Sequence, residues 1–237
     1  MQAYLRRLIK PLLLRFFPQT LLSVMATEWH FFTVRRRLPA LRREFAGQSD
    51  LLVNFGAGGA GKLGWVNVDG FQQPGINCLL DGRAPMPFRD ASVRGFYSEH
   101  FFEHLRYPCE ALAFLRECHR VMQPRTVLRL IVPDGEAYLH AYCQPGWEGL
   151  ADVRPLDKDG RDPWGMTFNT RMEVVNEMFR QSGEHHFAYD FETLEKLLRT
   201  AGFDRVERSS FAKSNDEKLL LDLGYRQPGS LYVEAIR

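Results

Sequence analysis

Three groups of residues in this 237-residue chain have types and spacings that could do chemistry. The first is the run Val53-Asn54-Phe55-Gly56-Ala57-Gly58-Gly59-Ala60-Gly61, an apolar stretch ending in glycines. Glycine lets a backbone turn tightly and approach a ligand without a Cβ in the way. Gly56, Gly58 and Gly61 match G-x-G-x-x-G, the spacing of dinucleotide loops. However, only Lys62, Leu63 and Gly64 separate Gly61 from the next strand candidate at Trp65, whereas a βαβ crossover needs about a dozen residues. The loop has no room for a phosphate-binding helix and suits a nucleoside without phosphates, which argues against a nicotinamide oxidoreductase. The second group is Asp69 and Asp81, each closing a short apolar run. An acid after the second strand can accept from both ribose hydroxyls, and one after the third can face an adenine amino group. Both are also ordinary turn or cap residues.

The third group is Ser98, Glu99, His100, Glu103, His104 and Asp134. His100, then Asp134 and His104, are candidates for a base or positioning group acting on a hydroxyl or amine. Glu99 and Glu103 would orient the histidines or hold substrate, and His185, His186 and Tyr189 could reach the same place from later in the chain. His100 to His104 also reads H-x-x-E-H, in which two histidines four apart on a helix share zinc and Glu103 acts as base.

The elements that must position these groups follow from patterning. Residues 2–17 and 19–45 read as helices divided at Pro18. Strand candidates cover 51–55, 65–69, 76–80, 93–98, 126–132, 203–211 and 230–236; helix candidates cover 108–122, 168–181 and 191–200. Asp190 caps the last helix and Gly202 ends it. Strands alternating with helices predict an α/β fold with an open, mostly parallel sheet, whose ligand lies at the carboxyl ends of the strands.

The stretches VNFGAGG (53–59), GWVNVDG (64–70), LLDGRAPMPFRDASVRGFYSEHFFEHL (79–105), FLRECHRVMQP (114–124), LRLIVPD (128–134) and SLYVEAI (230–236) resemble, in this order, the class I S-adenosylmethionine-dependent methyltransferases. They are most similar to a small bacterial, type-11-like branch. The resemblance implies a Rossmann-like sheet with an antiparallel last strand, preceded by an N-terminal helical extension (1–47). The body (48–237) would bind S-adenosyl-L-methionine and carry a substrate-side insertion (144–190). The implied cofactor contacts are Asn54, Gly56, Ala57, Gly58, Asp69, Asp81, Ser98 and Glu99, with His100, Asp134 and His104 on the transfer side. The acceptor would be a small molecule or sugar. Two departures stand out: Asn54 replaces the family's acid, and Pro124-Arg125-Thr126 replaces Pro-Gly-Gly. Asn54 admits a second reading, a non-catalytic partner that keeps the fold. Within this string H-x-x-E-H reads as chance, and no metal is expected.

Charge divides the chain. Residues 1–47 carry nine Arg or Lys against two acids, while the remainder has a net −5, so the formal net of +2 is a cancellation. The basic part, with Phe16, Phe17, Trp29, Phe31 and Phe32, reads either as a helical cover on the acidic body or as helices resting on an anionic membrane surface. No nucleic-acid module accompanies it. Lying before the first strand, it is expected to stand apart from the cofactor site. Cys78, Cys109, Cys118 and Cys143 form neither a C-x-x-C pair nor a disulfide framework, which with the absence of a spanning stretch predicts a cytoplasmic protein.

Overall fold

The computed structural model describes residues 18–237; the helix expected over 2–17 lies outside them. Two helices, α1 (Gln19–Arg35) and α2 (Leu38–Phe45), precede the sheet. One helix was predicted over 19–45. The chain breaks at Arg36–Arg37 because Pro39 has no N–H to donate and its ring would meet the carbonyl of Arg35. Seven strands form one sheet: β1 (Leu51–Phe55), β2 (Val66–Asp69), β3 (Cys78–Leu79), β4 (Val93–Glu99), β5 (Val127–Pro133), β6 (Arg205–Arg208) and β7 (Ser230–Ile236). Their order is β3-β2-β1-β4-β5-β7-β6; β7 runs antiparallel to β5 and β6, and the other pairs are parallel. This is the class I methyltransferase architecture that the resemblance implies.

Because the chain steps from β1 outward to β3 and then returns to place β4 beside β1, strand order reverses at the β1/β4 seam. A crevice forms at the carboxyl ends there. Four further helices follow: α3 (Cys109–Val121), α4 (Gly135–Cys143), the short α5 (Glu148–Val153) and α6 (Arg171–Arg180), before α7 (Phe191–Ala201). Alternate strand residues divide the core. Phe96, Leu128, Leu130 and Val233 meet Leu41, Leu115, Leu194 and Leu198 on the helical face. Tyr97, Ile131 and Tyr232 meet Trp65 and Leu219 on the other. No helix crosses over between β1 and β2, and residues 209–226 cover that second face in extended and single-turn form.

A buried ion cluster fastens this cover. Arg129, fully buried in β5, donates to Asp222 Oδ1 (2.8 Å) and to Glu234 Oε1 (2.9 Å), and also to the carbonyls of Ser210 and Lys213. Between β5 and α7, helices α4, α5 and α6 build a separate small core around Leu150, Val174 and Met178, so the insertion is a packed layer and not a loose loop. Thr170 and Glu173 close a reciprocal capping box at the start of α6.

Among the described residues no helix is long and apolar enough to cross a membrane. The arm α1–α2 lies on the body: Arg35 meets Asp81 at 2.6 Å, Glu28 meets Arg83 at 2.6 Å, and His30 stacks on Phe71 with ring centroids 4.7 Å apart. Residues of the arm thus pack on the body, the contact the cover reading expects. Contrary to the sequence expectation, the arm reaches the carboxyl ends of β2 and β3. Leu21, Val24, Met25, Trp29 and Phe32 remain exposed on α1.

Candidate functional site

The glycine loop leaves β1 at Phe55, which pairs with Val68 of β2 on one side and Ser98 of β4 on the other. Gly56 and Gly58 have φ of 73° and 50°, the left-handed region that a Cβ disfavours. Their surroundings differ. A Cβ on Gly56 would lie 2.4 Å from Phe101 Cβ, whereas one on Gly58 would point into open space. Gly56 thus lets Phe101 close over the loop, and Gly58 leaves the loop's outer side free. Gly82 admits the far edge of the same ring, where a Cβ would lie 2.5 Å from Phe101 Cζ. Ala57 is buried and its N–H, like that of Gly56, donates to the Val68 carbonyl.

Asp69, at the end of β2, accepts from the N–H of Gly58 at 2.9 Å and of Phe71 at 2.8 Å. It fixes the loop while retaining acceptor positions on each oxygen. Asn54 serves the loop from below: its buried amide donates to the Ala60 carbonyl and to Asn67 Oδ1. Asn67 in turn holds the Lys62 N–H and carbonyl, and Asn77 holds the Trp65 carbonyl. This asparagine chain gives the 56–65 link the backbone partners that a crossover helix would otherwise supply. Sequence reading singled out Asn54 but not Asn67, Asn77 or Phe101; only their closeness to the glycine run marks them.

Asp81 is buried and four donors meet its carboxylate: Arg35, the Arg83 backbone N–H, and two nitrogens of the Arg83 guanidinium. These occupy its ordinary acceptor capacity, and contact with an adenine amino group would require one of them to open. The Arg83 guanidinium also lies 4.7 Å from the ring centre of Phe31. The third strand's end is thus built jointly by the body and the arm.

At the β4 end the residues diverge. Ser98 is fully buried beside β1, its hydroxyl without a hydrogen-bond partner. Glu99 turns to the second face, where it accepts from Tyr97 Oη (2.9 Å) and the Leu223 N–H (3.3 Å) and burial pushes its carboxyl up. His100 has φ of 51° and its N–H donates to the Ile131 carbonyl. Its Nε2 lies 2.9 Å from Ser230 Oγ, and burial together with the nearby Arg226 charge keeps the ring neutral. Only Phe102–His104 forms a single tight turn, so His100 and His104 are not successive turns of one helix. The helical H-x-x-E-H arrangement of the zinc reading is therefore absent.

That turn aims Glu103 inward. Its carboxylate is buried, neither oxygen has a hydrogen-bond partner, and burial pushes it up to about 8. His185 arrives from the segment after α6, as expected, with Nε2 3.8 Å from Glu103 Oε1; burial lowers it to about 4. His104 packs edge-on to His185, with ring centroids 5.0 Å apart, and burial lowers it too. The His186 imidazole is exposed; its backbone N–H donates to the Glu103 carbonyl. Tyr189 is buried and its carbonyl accepts from Gly135. Asp134 caps α4 by accepting from Ala137 N–H at 3.1 Å, and burial raises its pKa.

Between these strand ends and the insertion lies a cavity of about 390 Å³, bordered by His100, Arg154, Trp164, Glu177, His185 and Arg226. Arg154 is held by the buried Asp162 and faces the ring of Trp164 at 5.1 Å. The cavity offers apolar walls with charges of both signs, the composition of a small-molecule site.

No protein-family model and no curated protein matches the chain. Among solved structures, it is similar to an S-adenosylmethionine-dependent methyltransferase of Thermotoga maritima at 16% identity and TM-score 0.48, covering 90% of this chain and 95% of that one. An S-adenosylmethionine-dependent methyltransferase of Archaeoglobus fulgidus matches at 16% identity and TM-score 0.47, covering 89% and 94%. Phosphoethanolamine N-methyltransferase 2 of Haemonchus contortus, solved with S-adenosylmethionine, matches at 10% identity and TM-score 0.43, covering 85% of this chain and 52% of that one. The chain spans 32% of the length of a further match, from Nostoc punctiforme.

Proposed function

We propose that the chain binds S-adenosylmethionine at the carboxyl ends of β1 and β2 and transfers its methyl group to a small acceptor held at the ends of β4 and β5. The observation that carries this reading is the cradle at the strand-order reversal. There an open, left-handed Gly58 is fixed by Asp69, with no following helix to favour a phosphate. Gly56, Ala57 and Gly58 would pass beneath the methionine part, Asp69 would accept from the ribose, and Phe101 would wall the loop. Once bound, the sulfonium supplies an electrophilic methyl group, and transfer requires chiefly that donor and acceptor be aligned.

On the acceptor side, Arg154, Glu177 and Arg226 supply charge to orient a polar molecule, and Trp164 supplies a face for it. His100, neutral and at the cavity wall, is the group proposed to position the acceptor. The asparagine at position 54 supports the loop, so its lack of charge does not favour the non-catalytic reading.

Calorimetric titration with S-adenosylhomocysteine tests the cofactor half. Wild type is expected to bind one equivalent, and Asp69→Ala to bind about 10- to 100-fold more weakly, the loss expected for hydrogen bonds to a charged group. Failure of the wild type to bind overturns the proposal.

A further inference from the structure

We infer that Glu103, His104 and His185 form a binding site for a divalent first-row transition ion, with zinc as the best match, on the inner wall of the acceptor cavity. The inference goes beyond methyl transfer and does not depend on it. Each of the three side chains offers a donor atom, and those atoms lie within 4.8 Å of one another. The independent sign is Glu103 itself: its side chain is 2% exposed, yet neither carboxylate oxygen has a hydrogen-bond partner. A buried unpaired carboxylate is costly unless a cation or a donor compensates it.

The neighbouring imidazoles supply electron pairs and no hydrogen bond to Glu103. His185 Nδ1 lies 2.6 Å from the Met178 carbonyl and His104 Nδ1 lies 3.1 Å from the Glu184 carbonyl. A carbonyl only accepts, so each Nδ1 carries the proton and each Nε2 keeps its lone pair. That is how ligand histidines are oriented in metal sites. His100 follows the same logic. Ser230 Oγ donates to the Arg226 carbonyl at 2.5 Å, so it accepts from His100 Nε2–H, and His100 Nδ1 turns a lone pair toward Glu103 Oε1 at 3.7 Å. A proton on Glu103 would be donated to an acceptor within reach, and these nitrogens stand beyond hydrogen-bond length.

The 3.8 Å between His185 Nε2 and Glu103 Oε1 is instead near the spacing of neighbouring ligands on one metal. Bonds of about 2.1 Å in a tetrahedron set donor atoms about 3.4 Å apart. Two imidazoles and a carboxylate suit zinc and its neighbours in the first row, not calcium or magnesium, which take oxygen ligands. Three protein donors leave a position for water or for an acceptor from the cavity that His185 lines. The ion would also join the 184–190 segment to the end of β4. The H-x-x-E-H run contributes two ligands of the three, and its glutamate is a ligand, not a base.

The test uses the full chain without a histidine tag, stripped with chelator and titrated with Zn²⁺ and with Co²⁺. One equivalent of zinc is expected, with a rise in Tm, and cobalt is expected to give visible d–d bands without thiolate charge transfer. Glu103→Gln and His185→Ala should each weaken zinc binding about 100-fold or more, at or beyond the upper end seen for groups that only support ligands. His140→Ala should leave it unchanged. Wild type that takes up no stoichiometric zinc or cobalt overturns the inference whatever the variants do, as does full retention of binding in folded His104→Ala/His185→Ala. S-adenosylhomocysteine binding is measured in parallel, so loss of one ligand and loss of the other remain distinguishable.

Discussion

Single residues explain why the glycine loop has its composition. At Gly56 two demands coincide, a left-handed φ and the closeness of Phe101, whereas at Gly58 only the first applies. Gly56→Ala should therefore lower stability by more than the ~1 kcal/mol of backbone strain alone. Gly58→Ala should cost about that strain, yet abolish S-adenosylhomocysteine binding, because its methyl group would stand where the proposed ligand lies. Urea denaturation and titration on both variants check the contrast; equal losses of stability would contradict it. Arg129 makes a second residue-scale case. Arg129→Met would leave Asp222 and Glu234 as buried, unpaired carboxylates and should destabilise by about 3–5 kcal/mol in denaturant unfolding. Arg129 lies in a run legible only as a strand, TVLRLIV, and nothing nearby announces acids about a hundred residues away. Its partners come together only through the sheet.

Among elements, the most legible were those whose own residues fix them. The capped helix Phe191–Ala201 and the strands at 51–55 and 230–236 match their predicted limits to within a residue, because their caps and apolar runs are local. The strand predicted over 203–211 shortens to Arg205–Arg208, since its later residues turn away to cover the second face. The short helix α5 was not foreseen, for its six residues acquire an apolar face only against α4 and α6. The 56–65 link is the element whose function depends most on partners. Asn54→Asp would restore the acid usual at this position in the resembling family. Here it would instead place a carboxylate against two acceptors. The expected outcome is a loss of about 1–3 kcal/mol, measured by denaturation, without tighter S-adenosylhomocysteine binding.

At the scale of the whole molecule, the split charge becomes an internal contact. The basic arm and the acidic body meet through Arg35, Asp81, Arg83 and Glu28, one ion pair of each polarity across the seam. Arg35→Ala should loosen the arm: limited proteolysis between residues 36 and 50 is expected to speed up, and more so at low salt, where the wild-type pairs are strongest. Unchanged cleavage would show that the Glu28–Arg83 pair and the stacking of His30, Phe31 and Phe71 hold the arm without Arg35. The arm's docking could not be read from sequence because charge counts give sign and not direction. The strand ends that carry Gly56, Gly58, Asp69 and Asp81 were readable, since these residues close their apolar runs in order. The Glu103, His104 and His185 cluster was only half readable, since His185 joins it from some eighty residues away.

The position of β7 has a consequence for assembly. β6 comes earlier in the chain, yet it joins the sheet only through β7, which is wedged between it and β5. At this edge Arg205–Arg208 reaches the rest of the sheet only through Ser230–Ile236, so its place depends on residues that follow it in the chain. Of the two carboxylates that neutralise Arg129, Glu234 belongs to β7 and Asp222 to the cover just before it. Without β7, Arg129 would lose the Glu234 carboxylate and β6 its neighbour. One strand thus both completes the sheet and supplies a counterion to its interior.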